Sequence, residues 1–149
     1  MDVHASLDAE CGADRLFSLV DDLGKYPAWI DLTHRVVAED GSLPPAWQVE
    51  LRARVGPLAR SKRLRMERTV HQPEAHTVVF ERAERDGKRH SPWVLSAVVS
   101  QQGDHSHLAM HLHYGGALWT GGVLERVLGD QITNGQDRLQ QLLNQSPTH

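Results

Sequence analysis

The run WQVELRARV at Trp47–Val55 decides the fold. Trp47, Val49, Leu51, Ala53 and Val55 alternate strictly with Gln48, Glu50, Arg52 and Arg54, the period of two that marks a strand with one face on a core and one in water. Downstream, Gly56-Pro57 predicts a turn, Ala59–His71 a strand, Gln72–Ala75 a turn, and Thr77–Arg85 a strand closed by Asp86-Gly87. Trp93–Ser100 and His107–Tyr114 complete the series, joined across Gly103-Asp104. Upstream, a Gly-Ser-Leu-Pro-Pro loop at 41–45 separates the opening run from a strand at His34–Glu39. Such short connections predict an antiparallel meander, because parallel pairs need crossovers of about a dozen residues or more.

The flanks change period. Val3, Ala5 and Leu7 alternate with His4, Ser6 and Asp8, which predicts a first strand; from Ala13 to Leu23 the apolar residues Leu16, Phe17, Leu19, Val20 and Leu23 share one helical stripe. Gly24 then reads as a helix-ending glycine, and Pro27 in KYPAWI starts or interrupts a second short helix. A final helix is predicted from about Gly122 to Leu143, with Val123, Leu124, Val127, Leu128, Ile132, Leu139, Leu142 and Leu143 on its apolar side. Gly129 and Gly135 inside it each cost about 1 kcal/mol relative to alanine, so each predicts either a close approach or an open space. The expected architecture is α+β: one domain over 1–145 with a disordered tail at 146–149. A seven-stranded curved antiparallel sheet wraps around the long C-terminal helix, with two short helices after the first strand. One helix roughly 10 Å wide cannot fill the concave side of such a sheet, so a cavity is expected.

Composition narrows the class. A chain of 149 residues, 40% hydrophobic and 23% charged, can bury a core without staples, and the single Cys11 excludes an internal disulfide framework and a cysteine-only zinc site. There is no basic segment followed by an apolar run at the start, and no stretch approaches the roughly 18 apolar residues of a membrane span, so a cytoplasmic protein is the default expectation. Residues 52–68 hold seven basic side chains, Arg52, Arg54, Arg60, Lys62, Arg63, Arg65 and Arg68, against one acidic residue, Glu67. On alternating strands such a stripe reads first as a solvated face, and the net charge of −3 disfavours nucleic acid as a partner.

Several of these residues also carry a resemblance. The run LFSLVDDLGKYPAWI after a first strand, its helix-ending Tyr-Pro-x-Trp, the strand pair ERTV and TVVFERAE, and the terminal amphipathic helix resemble the START/Bet v 1-like (SRPBCC) helix-grip superfamily, in particular its polyketide cyclase/dehydrase-like branch. The resemblance covers nearly the whole chain. It implies a helix-grip fold around a ligand cavity, in a superfamily that spans lipid carriers, hormone receptors, aromatase/cyclases and quinone-binding chaperones. Fold alone does not choose among these.

Three constellations are candidates for function. If Leu64, Met66 and Val70 point inward, then so does Arg68; if Val78 and Phe80 do, then so does Arg82. Two guanidiniums in a dry site can polarise a carbonyl or hold an enolate or carboxylate. The resemblance to aromatase/cyclases implies that Arg68 and Arg82, as tentative catalytic residues, orient a poly-β-ketone; the alternative is pairing with Glu81 or Glu84. The second set is aromatic and apolar. Tyr26, Trp29, Trp47, Leu64, Met66, Phe80, Trp93, Leu95, Met110, Tyr114 and Leu128, with Asn134 on the last helix, are the expected ligand-binding residues, Trp119 joins the aromatic set, and Tyr26-Pro27 matches an aromatic-proline pair near the cavity mouth of similar cyclases. Ile30 stands where such cyclases carry an aromatic. The third is a histidine row, His105, His107, His111 and His113, with His4 alongside. It reads as the solvent-facing side of the last strand, with metal ligation or a pH-responsive surface as the alternatives, and no metal is assigned to it.

Other signals are weaker. Gly116–Val123 has phosphate-loop spacing without the Lys and Ser/Thr of such loops, and reads instead as a lid hinge. Cys11 stands near a helix start without a partner histidine, which favours a capping role over nucleophilic chemistry. The leading expectation is a monomer or homodimer that binds a small hydrophobic ligand (lipid, quinone or polyketide-like), without a cofactor. Its mouth would lie near Tyr26–Ile30, the Arg54–Ala59 turn and the Gly115–Gly122 loop. The alternatives are a polyketide aromatase/cyclase or dehydratase using the arginines, and an interaction module using the basic stripe.

Overall fold

The computed structural model describes residues 1–55, 57–115 and 123–145. Gly56 of the predicted turn, residues 116–122 with Trp119 and the phosphate-loop-like spacing, and residues 146–149 lie outside the described residues. Seven strands run β1 (Asp2–Ala9), β2 (Thr33–Ala38), β3 (Ala46–Val55), β4 (Leu58–Gln72), β5 (Thr77–Arg82), β6 (Trp93–Gln102) and β7 (His105–Tyr114). They form one sheet in the order β1-β7-β6-β5-β4-β3-β2, every pair antiparallel. Helix α1 (Ala13–Val20) and a 3₁₀ segment (Leu23–Ala28) follow β1, and helix α2 (Val123–Gln145) ends the fold. This is the α+β, helix-gripping arrangement that the strand series predicts.

Alternation sets the two faces. Trp47, Val49 and Leu51 on β3 stand opposite Met66, Leu64 and Lys62 on β4, so these six side chains share the concave face. The expected parity then fails at one point. A register shift between Arg68 and Val70 places Arg68 opposite Phe80 but Val70 opposite Val79, so Thr69 is a bulge residue. Beyond it Val70 no longer shares the face of Leu64 and Met66, contrary to the inward position expected for it. His71 takes that place instead and stacks on Phe17 of α1 at 5.9 Å. A β-bulge inverts every later side chain on its strand, and nothing in the alternation of residues 59–71 announces it.

Element ends also differ from expectation. Helix α1 stops at Val20 and the chain continues as the 3₁₀ segment, with the Asp22 carboxylate accepting from the Gly24 amide at 2.8 Å. Gly24 is therefore inside a second helical piece rather than a terminator of the first, while Pro27 sits within that piece. At the other end of α1, Gly12 is the cap and the Ala13 amide donates to Gln101 of β6 at 2.7 Å; Cys11 does not cap the helix but lies 3.6 Å from the Ser106 hydroxyl. Strand β5 ends at Arg82 rather than Arg85.

Helix α2 packs chiefly against β1. Ile132, Leu139 and Leu143 are buried, with Val127, Leu128 and Leu142 packed against the same core. Polar side chains complete the docking: Gln131 accepts from the Leu32 amide, Gln140 from the Glu10 amide, and Gln136 donates to the Asp8 carbonyl. The two helix glycines differ as expected of a pair with different reasons. A Cβ at Gly135 would lie 2.3 Å from the Trp29 carbonyl oxygen, whereas one at Gly129 would meet nothing within 4 Å. Gly135 is thus where the end of the 3₁₀ segment docks on the helix.

Candidate functional site

The concave side is filled at one end and hollow at the other. At the filled end, Trp29, Tyr26, Phe80 and Trp47 form a continuous aromatic series, with ring centroids 5.4, 6.3 and 5.5 Å apart in turn. Tyr26 donates its hydroxyl to the Val20 carbonyl at 2.8 Å, and burial, with the nearby Asp21 and Asp22 charges, pushes its phenol far above the ordinary range, so it remains a neutral donor. The Trp29 indole N–H is buried with no hydrogen-bond partner among the described residues.

Beside this series lies a cavity of about 90 Å³, bounded by the inner residues of β1, β3, β4, β6 and β7, by Tyr26 and Ile30, and by Leu128 and Ile132 of α2. Its lining is aliphatic and aromatic, its polar groups being the hydroxyls of Tyr26 and Thr33 and the indole N–H of Trp93, and the Thr33 hydroxyl donates to the Ile30 carbonyl at 2.6 Å. Both hydroxyls are therefore engaged by backbone. The hollow is small beside the roughly 300–1,000 Å³ clefts that enclose drug-sized ligands.

The expected ligand-binding residues divide between these zones. Tyr26, Leu64, Met66, Trp93, Leu95, Met110 and Leu128 line the cavity. Trp29, Trp47, Phe80 and Tyr114 are buried but do not line it; the first three belong to the aromatic series and Tyr114 lies 5.4 Å from Trp93. Asn134 is exposed on the outer side of α2 and does not reach the interior, because the buried stripe runs through Ile132, Gly135 and Leu139. Residues that sequence reading left out of the site also line it: Val3, Ala5, Leu23, Leu32, Val49 and Leu112. Most of these were already legible as core, but choosing which core residues border a void needs the packing itself.

Neither arginine lines the cavity. Arg68 is half-buried, donates to the Asp21 carbonyl beyond the end of α1 at 3.0 Å and lies 5.9 Å from the Trp47 ring. Arg82, opposite Met66, donates from Nε to Glu84 at 2.7 Å and from Nη1 to the Ser91 carbonyl and hydroxyl, each at 3.3 Å. A helix terminus and a carboxylate thus already occupy the two guanidiniums.

The basic stripe does not act as a unit. Arg52, Arg54, Arg60 and Arg63 are exposed, but Arg65 is only 3% exposed. It lies on the outer face, bonded to Glu39, Glu67 and the Ala83 carbonyl. That arginine escaped sequence reading because its partners come from the chain just after β2, from β4 and from the chain after β5. Lys62 faces inward, opposite Leu51 and two residues before Leu64, both cavity residues; its ammonium lies 5.9 Å from the centroid of Trp93. Burial and the nearby Arg82 charge hold its pKa below the ordinary lysine value, against the opposing pull of Glu84.

The histidine row lies on the opposite side of the sheet. His111 and His113 both meet Asp2, at 2.8 and 3.1 Å, His107 meets Asp8 at 2.7 Å, and His4 stacks on His111 at 4.4 Å. The carboxylates missing from β7 itself come across from β1. Among the described residues no three His, Cys, Asp or Glu side chains are arranged to hold a metal ion, and no helix is long and apolar enough to cross a membrane.

Comparison with known proteins adds the fold. No family model and no curated protein matches the sequence. Solved structures do match. A START superfamily protein from Mycobacterium smegmatis superposes with a TM-score of 0.69 at 14% identity, covering 97% of each chain. The Zhui aromatase/cyclase from Streptomyces gives 0.66 at 12% identity, over 97% of this chain and 93% of that one. The di-domain ARO/CYC BexL gives 0.63 at 11% identity, over 97% of this chain and 46% of that one. Identities this low speak for backbone architecture and not for shared chemistry. By the order of its strands, the position of its closing helix and these superpositions, the chain has the helix-grip fold that this START superfamily protein and these aromatase/cyclases also have.

Proposed function

We propose that this domain binds a small, mostly apolar ligand, of lipid, quinone or polyketide-like character, in the hollow beneath α2. The observation that supports this reading is the lining: a predominantly apolar wall whose two hydroxyls are both engaged by backbone. A dry void in a core is costly, by about 24 cal/mol per Å³ in cavity-creating substitutions, and burying an apolar guest recovers the contacts its walls lack. At about 90 Å³ the hollow takes a ring or a short acyl segment, and a longer ligand would extend past Trp93 or displace Leu128 and Ile132. The START superfamily neighbour and the aromatase/cyclases share this fold and support the same class of activity.

The second reading, an aromatase/cyclase or dehydratase, draws on those neighbours and on the inward placement of Arg68 and Arg82. It ranks below simple binding because both guanidiniums are held by protein groups and neither borders the hollow.

Native mass spectrometry of the freshly purified protein, with a thermal-shift series of short alkanols, quinones and polyketides, tests the binding reading. A retained mass or a ligand-dependent rise in Tm is expected. Ala5→Phe, which places a ring in the hollow from β1, is expected to abolish both while the domain stays folded. No retained mass together with no shift for any compound would reject the reading.

A further inference from the structure

The inner face of β4 is apolar through Leu64 and Met66 and then, two residues nearer its start, carries a cation. Lys62 is flanked on that face by Leu51 across the β3–β4 pair, by Leu64 along its own strand and by the Trp93 ring. All three neighbours line the hollow. Arg82 stands on the same face of the next strand, opposite Met66, yet its charge is matched by Glu84 at 2.7 Å. Among the described residues Lys62 forms no ion pair. A partly desolvated ammonium at the rim of an apolar chamber, near a second cation already paired with Glu84, leaves the rim with an excess positive charge.

We propose that the ligand is amphipathic: its apolar part fills the hollow and a carboxylate at its end lies against Lys62 over the Trp93 ring. This rests on the binding reading above and deepens it by naming the ligand's charge. A single carboxylate suits the geometry, because the planar fork of Arg82 is occupied by Glu84 and Ser91, leaving Lys62 as a point-charge donor. The attraction of an anion there would also oppose the burial and the Arg82 repulsion that hold the Lys62 ammonium below its ordinary pKa.

Three probes that differ at one end test this on the full chain: decanoate, 1-decanol and decylamine, titrated calorimetrically near neutral pH. Decanoate is expected to bind about ten-fold more tightly than 1-decanol, and decylamine more weakly than either. The preference is expected to vanish in Lys62→Met and to persist in Lys62→Arg. Equal affinities of decanoate and 1-decanol for the native protein, or a preference that survives Lys62→Met, would overturn the carboxylate assignment while leaving the binding reading intact. Failure of every probe to bind would overturn both. Should Lys62→Met not fold, added salt decides the matter in the native protein: the advantage of decanoate must shrink as the ionic strength rises, and an undiminished advantage would refute the role of Lys62.

Discussion

Arg65 and Lys62 sit three residues apart on one strand and point to opposite faces of the sheet, and the protein treats them in opposite ways. Arg65 is buried on the outer face, where two carboxylates and a carbonyl bond its guanidinium. Lys62 is half-buried on the inner face, beside cavity residues and a Trp ring, and among the described residues it forms no ion pair. A buried charge that serves the fold is matched by the fold itself, since leaving it unmatched costs several kcal/mol. A charge at the rim of a hollow is tolerable unmatched while water still reaches it, and it is available to something that arrives from outside. The contrast separates cations that hold the sheet together from a cation suited to recognition, a distinction that the basic stripe of residues 52–68 conceals.

Breaking the outer-face network should have the largest effect. Arg65→Met removes the guanidinium from Glu39, Glu67 and the Ala83 carbonyl, and about 3 kcal/mol of stability should be lost by chemical denaturation. The lower end of the range for broken buried pairs applies because the two carboxylate side chains remain 25% and 19% exposed. The native protein should also carry a signature in acid. The hydrogen bond from Arg65 holds the Glu39 carboxyl below its ordinary 4.5, so the stability this pair contributes is fully present above that value and drains away as the pH falls through the lower folded pKa. In Arg65→Met that part of the acid slope should flatten; an unchanged slope would show that the network does not hold Glu39.

The cover of the inner face should respond next. Gly135→Ala drives a methyl against the Trp29 carbonyl, where overpacking costs about 1–3 kcal/mol and the better helix propensity of alanine returns up to about 1, for a net loss of about 1–2 kcal/mol. Gly129→Ala meets nothing and should gain up to about 1 kcal/mol. Equal effects at the two sites, read from paired denaturation curves, would contradict the docking of the 3₁₀ segment on α2. The smallest expected change is that of Lys62→Met, within about 0.5 kcal/mol of the native stability. A loss comparable to that of Arg65→Met would make Lys62 a structural cation and erase the contrast between the two faces.

Much of this architecture was legible in the residues. The alternation in Trp47–Val55 and its neighbours identified strands because half-buried sheets impose a period of two, and the i, i+3, i+4 stripe did the same for α2. The candidate site was legible only in part. Leu64, Met66, Trp93 and Met110 were identifiable as inward, but Asn134 points out, and the stripe that excludes it, through Ile132 and Gly135, depends on how α2 is rotated against β1. The roles of Arg68 and Arg82 were unreadable because their partners, the Asp21 carbonyl and the Glu84 carboxylate, depend on where α1 ends and where β5 stops.

Periodicity and composition by themselves determined that this chain forms strands in series with a closing helix, since those patterns follow from local backbone geometry and from the transfer of apolar surface out of water. Tertiary structure alone decided which side chains border the remaining void and which charges are matched. A bulge at Thr69, an early helix end at Val20 and the rotation of α2 each redirect several side chains at once, and each is settled by contacts between residues far apart in the chain.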